Sequence, residues 1–127
     1  CGAMKYFTFD EFDSPDSPGS GEMMDPDFLS MLDEARDCAG IPFVISRGGG
    51  FRTVAYNRQL IKEGYPASRK SSHLLGLAAD IYVTDSRSRY IILDALQEVG
   101  FTRIGIAPNF LHCDLDFNKP QHRIWVY

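Results

Sequence analysis

Ser71-Ser72-His73-Leu74-Leu75-Gly76-Leu77-Ala78-Ala79-Asp80 places an imidazole and a carboxylate in one otherwise largely apolar segment, and a second histidine follows in Phe110-Leu111-His112-Cys113-Asp114. Two imidazoles and a carboxylate make a three-ligand set for a catalytic zinc, which keeps a fourth position open for water. Either histidine alone reads equally well as a hydrogen-bonded core residue. The combination with Arg52, set behind the Gly48-Gly49-Gly50-Phe51 turn, shifts the reading toward a metal site.

The flanking sequence supplies a scaffold. Upstream, Asp25-Pro26 is a helix start, an aspartate to cap free amides followed by proline at the first helical position. Phe28, Leu32, Ala35 and Ala39 recur at helical spacing before Gly40. Phe43 to Ser46 reads as a short buried strand, and Thr53 to Glu63 as a helix stopped by Gly64. The three glycines lack the Gly-Lys-Ser/Thr of a phosphate loop, which leaves a flexible turn or a turn that lets backbone and Arg52 line a cleft.

Downstream, Ser86 to Val99 is an amphipathic helix with Ile91, Ile92, Ala95, Leu96 and Val99 as its stripe. Phe101 to Ile106, Phe110 to Leu115 and Arg123 to Tyr127 read as strands on short links, which favours antiparallel pairing. The expected class is α+β: a single domain with a mainly antiparallel sheet and helices packed against it. At the N-terminus, Lys5 to Phe12 offers aromatic residues as an arm or short strand, and Asp13 to Gly21 reads as a solvated loop.

Composition narrows the function. The chain has 127 residues, enough for one core, with 44% hydrophobic and 24% charged residues, which excludes a largely disordered chain. Cys1-Gly2-Ala3-Met4 reads as an expression remnant ahead of a natural start at Met4, leaving 5–127 as the domain. A net charge of -4 with scattered Lys and Arg argues against nucleic acid as a partner. No apolar run approaches the ~18 residues of a membrane span, and the basic and apolar regions of a signal peptide are missing. Cys1, Cys38 and Cys113 show no CxxC spacing, so free thiols are expected rather than disulfides or a cysteine-ligated zinc.

The motif resembles the Ser-x-His-x-x-Gly-x-Ala-x-Asp pattern of the M15-type zinc D-alanyl-D-alanine peptidases and phage cell-wall peptidases, which share the hedgehog/DD-peptidase fold. Ser71, His73, Gly76, Ala78 and Asp80 fill its fixed positions. The resemblance implies His73, Asp80 and His112 as ligands of Zn2+, and Ser71 as a substrate-binding hydroxyl beside the cleft. Phe51-Arg52-Thr53 with Tyr56-Asn57 resembles the family segment that carries the substrate-contacting arginine, although Ser46-Arg47-Gly48-Gly49-Gly50 stretches the approach to it. The implied activity is zinc-dependent hydrolysis of peptidoglycan stem peptides, as a D,D-carboxypeptidase or an endolysin-type endopeptidase, by a monomer acting at the cell wall or periplasm.

Many relatives carry an acid three residues before the last histidine, as the general base. Here that position is Asn109, which cannot accept a proton. Asp114 shares the strand face of His112, so it is the expected catalytic carboxylate, either as base or as a group orienting the histidine. Asp116 lies farther along that face, and His122 is an outside candidate. Cys113 should point to the opposite face, into the core. The rival reading is a non-catalytic zinc-containing module that binds cell wall or protein.

Overall fold

The computed structural model describes residues 4–127; residues 1–3, with Cys1 and most of the expected expression remnant, lie outside the described residues. The chain runs α1 (Pro26–Ala39), β1 (Val44–Ile45), α2 (Val54–Lys62), β2 (Ala78–Tyr82), α3 (Ser86–Glu98), β3 (Arg103–Ile106), β4 (Phe110–Asp114) and β5 (Arg123–Val126). Short 3-10 turns occupy Phe9–Phe12, Ser20–Met23 and Ser72–Leu75. None of the described helices is long and apolar enough to cross a membrane.

Each helix begins where a short polar side chain satisfies a free amide. The Asp25 carboxylate accepts from the Phe28 amide, the Thr53 hydroxyl from Tyr56 and the Asp85 carboxylate from Ser88. The apolar stripes of α1 and α3 then bury Phe28, Leu29, Leu32 and Ala35 with Ile92, Ala95 and Leu96. By contrast α2 buries only Asn57 and lies on the rim, where it contributes to a cleft instead of the core.

The strands form one sheet in the order β1-β2-β4-β3-β5. Pairing is antiparallel throughout except at β5, which runs parallel to β3. The sheet is thus mainly antiparallel, as expected, and the one parallel pairing, at β5, is what the short final links did not imply. The short link after β4 does reverse the chain, but β2 and β3 already occupy both edges of β4. β5 therefore takes the free edge of β3, which itself runs opposite to β4.

Strand alternation divides this sheet into two chemical surfaces. Ala79, Ile81, Leu111, Cys113 and Ile104 are buried on one side with the α1 and α3 residues. Asp80, His112, Gly105 and Trp125 form a row across the other side, since Asp80 pairs with His112, Gly105 with His112 and Gly105 with Trp125. Ala78, Asp114, Arg103 and Arg123 belong to a neighbouring row; Asp114 pairs with Ala78, Arg103 with Arg123, and the Arg103 side chain with Asp114.

The N-terminal arm packs as expected but not as a strand. Phe7 and Phe12 are buried edge-to-face against one another, while Thr8 and Glu11 close a capping box that winds Phe9–Phe12 into a 3-10 turn. The following loop is also more ordered than its composition implies. The Asp13 carboxylate accepts the amides of Gly19 and Gly21, and Ser14 is buried.

Candidate metal centre

His73, Asp80 and His112 arrive from three different local structures and converge. Ser71 starts the 3-10 turn that carries His73, its hydroxyl accepting the His73 amide at 3.3 Å, and Gly76 ends the turn in the left-handed conformation before β2 delivers Asp80. β4 then places His112 directly across from Asp80. One ligand-type atom from each of the three residues lies within 4.8 Å of the others, and all three side chains are buried. The three side chains meet although their sequence separations are long.

The donor set fits a small cation. His73 Nε2 lies 3.4 Å and His112 Nδ1 3.0 Å from Asp80 Oδ1. Donors about 2.0–2.1 Å from a tetrahedral zinc stand roughly 3.3 Å apart, so these spacings are near those of a coordination sphere. The remaining ring nitrogens are held from behind: His73 Nδ1 lies 2.9 Å from the Gly50 carbonyl, and His112 Nε2 lies 2.7 Å from Asp114 Oδ2. Such partners fix ring orientation and tautomer, leaving the inward nitrogens as the ligating ones.

The electrostatics point the same way. Burial alone would depress His112, but its contacts with Asp114 and Asp80 lift it to about 9. Against its own burial, the two histidines hold Asp80 well below the carboxylate range, and burial lowers His73. A pocket with two carboxylates on one imidazole demands positive charge at its centre, which a proton or a metal ion can supply.

The glycine turn is a fitted part of this site. A side chain at Gly49 would come within 2.9 Å of the Asp80 Cβ, and one at Gly50 within 2.6 Å of the Phe12 backbone; Gly48 takes φ 72° beneath Tyr56. The turn therefore lets backbone approach both the carboxylate and the arm, and carries Arg52 into the cleft. Arg52 donates from Nε to the Gly48 carbonyl at 2.7 Å and from Nη2 to Asp80 at 3.3 Å.

Asp114 is buried, with Oδ2 on His112, and its Oδ1 accepts from Arg103 Nε at 2.8 Å and from the Asp116 amide. Both oxygens are thus engaged, one behind the imidazole ring. Asp116 accepts from the Ser72 hydroxyl at 2.8 Å and pairs with Lys119 at 3.3 Å, tying the β4–β5 link to the metal-motif turn. Asn109 is exposed at the cleft edge, and His122 lines a separate small cavity beside Gln97 and Phe101. Cys113 is fully buried on the core side.

Three residues escaped the sequence reading. Arg103 braces Asp114 and covers the Trp125 ring at 4.9 Å; Trp125 packs on His112 at 5.5 Å; Tyr127 lines the same cleft. The Trp125-x-Tyr127 alternation was the available signal, but its strand neighbour was not predictable from it. The cleft measures about 970 Å³ and runs from Pro15 and the Tyr65–Ser68 segment, past the histidines, to Trp125 and Tyr127.

Fold and cluster together define an α+β domain with a His-Asp-His cluster able to hold a metal ion in an open cleft. The chain belongs to the peptidase M15 family, whose family model matches residues 5–114. Its fold is similar to that of the L-Ala D-Glu endopeptidase ChiX of Serratia marcescens, with a TM-score of 0.61 and 21% identity over 76% of this chain and 84% of that one. No curated protein sequence matches it significantly.

Proposed function

We propose that this M15-family chain is a zinc-dependent peptidase acting on peptidoglycan stem peptides, with His73, Asp80 and His112 as the ligands. The observation that carries the reading is the buried convergence of these three side chains, each histidine backed by a partner on its far nitrogen. A zinc held there supplies Lewis acidity, polarising a carbonyl and acidifying water. Asp114 keeps His112 oriented, Arg52 directs positive charge to the substrate from the cleft wall, and the Ser71 hydroxyl borders the same space.

Endopeptidase action is favoured over carboxypeptidase action. The cleft continues on both sides of the cluster. The ChiX neighbour is itself described as an endopeptidase. Zinc quantification followed by a mass-spectrometric digest of purified peptidoglycan tests the proposal: new peptide termini that vanish on chelation and return with zinc are expected.

A non-catalytic zinc module is the second reading, favoured by Asn109 at the cleft edge and by the engagement of both Asp114 oxygens. Stoichiometric zinc with no cleaved stem peptide of any length would establish it over the peptidase.

A further inference from the structure

Gly105 lies in the row Asp80–His112–Gly105–Trp125, at the centre of the polar face. A Cβ there would fall 2.6 Å from the Trp125 indole nitrogen and 2.8 Å from the Tyr127 ring. The missing side chain is what allows the β5 aromatics to fold over the sheet toward the histidines. Trp125 then packs on the His112 ring and against the Arg103 guanidinium. Tyr127 continues the β5 ladder through its amide to the Ile106 carbonyl at 3.0 Å, and its ring packs on Phe110 at 5.2 Å and Trp125 at 6.3 Å.

Trp125 is half-buried and engaged by His112 and Arg103, whereas Tyr127 is 48% exposed in a cleft it shares with Arg52, Asp80 and His112. The other polar groups of this wall are committed or unsuited: both Asp114 oxygens are engaged, and Asn109 sits at the exposed edge. Burial, reinforced by the charge of Asp80, raises the phenol above its ordinary value, so it remains a proton donor across the neutral range.

We propose that Tyr127 is a substrate-contacting residue of this site: its phenol donates a hydrogen bond to the peptide oxygen that gains charge during hydrolysis, with Trp125 as its positioning support and Gly105 as the clearance that admits both. The proton stays on the phenol, and the contribution is electrostatic. The role rests on the peptidase reading, and β5 lies outside residues 5–114 matched by the family model.

The test uses the zinc-loaded protein and an Ala-Ala phosphinate pseudodipeptide, whose tetrahedral anionic phosphorus group imitates the reacting carbon. Binding is followed through Trp125, the sole tryptophan. Tyr127→Phe keeps the ring and removes only the donor. It should weaken phosphinate binding about ten- to a hundredfold, the range for a hydrogen bond to a charged group, with zinc affinity against a chromogenic chelator unchanged. Gly105→Ala should weaken it also, by displacing both rings. Tyr127→Phe binding like the wild type overturns the proposal, as does a wild-type protein that does not bind the phosphinate. Phosphinate binding that depends on Tyr127, in a protein that cleaves no stem peptide, would sustain the contact while refuting the peptidase reading.

Discussion

The two faces of the central sheet share one backbone and obey different rules. On β4, Leu111 and Cys113 enter an apolar interior, whereas His112 and Asp114, their immediate neighbours, enter a polar one that is nearly as dry. The apolar face needs only volume and close packing. The polar face tolerates burial because its charges are matched: Asp80 meets Arg52 and both histidines, and Asp114 meets His112 and Arg103. Losing atoms from the first face should therefore cost stability, and losing a partner from the second should cost metal and function.

The largest effect is expected at Asp80. Asp80→Asn keeps the shape and removes the charge that both histidines face, so zinc affinity should fall by more than about 100-fold, beyond the usual effect of residues behind the ligands. Turnover should fall to background. Equilibrium dialysis and circular dichroism together check this: zinc lost with the sheet retained supports the division, and zinc retained in full breaks it.

The mirror experiment is Leu111→Ala. Leu111 is fully buried one residue from His112, so truncation should destabilise the fold by about 2–5 kcal/mol, read from the urea midpoint. Zinc affinity of the folded fraction should stay within a few-fold of wild type. A large change in affinity would show that the core face tunes the site directly.

Asp114→Asn sharpens the comparison within the polar face. As an orienting partner, Asp114 should cost about 10–100-fold in metal affinity when neutralised, with much turnover recovered at saturating zinc. Abolished turnover with zinc affinity intact would assign it the general-base role instead. A variant altered in neither would exclude both roles.

Legibility followed the range of the physics involved. The helix starts at Asp25 and Thr53 could be read because capping is local, and the parity of His112, Cys113 and Asp114 because side-chain alternation is local too. The His73-to-Asp80 motif was legible as a pattern of residue types, and the structure shows Ser71 capping the His73 turn and Gly76 ending it in the left-handed conformation. The parallel placement of β5 was not legible, because it depends on which sheet edges remain free once β2 and β3 flank β4. For the same reason Arg103, Trp125 and Tyr127 went unassigned: the roles of Trp125 and Tyr127 follow from Gly105 across from them, and that of Arg103 from reaching Asp114 on β4 and Trp125 on β5, all relations between strands. The 3-10 turn at Phe9–Phe12 was masked by an aromatic alternation that mimics a strand.

The smallest expected effect falls on Cys113, which tests the division at its narrowest point. It lies between a proposed ligand and that ligand's partner, yet it is fully buried and pairs laterally with Ala79 and Ile104 on the apolar side. Metal ligation and thiol reactivity both require thiolate, and burial, with the nearby Asp114 and Asp80 charges, pushes this thiol well above its ordinary value. Cys113→Ala should therefore leave zinc stoichiometry and affinity unchanged, while the small cavity lowers stability by about 1 kcal/mol. Exposed Cys38 provides an internal control. In the native protein an alkylating reagent should modify Cys38 promptly and Cys113 only on unfolding, as mapped by peptide mass spectrometry. Equal labelling of the two, or a loss of zinc in Cys113→Ala, would mean that alternation on β4 does not separate core from site.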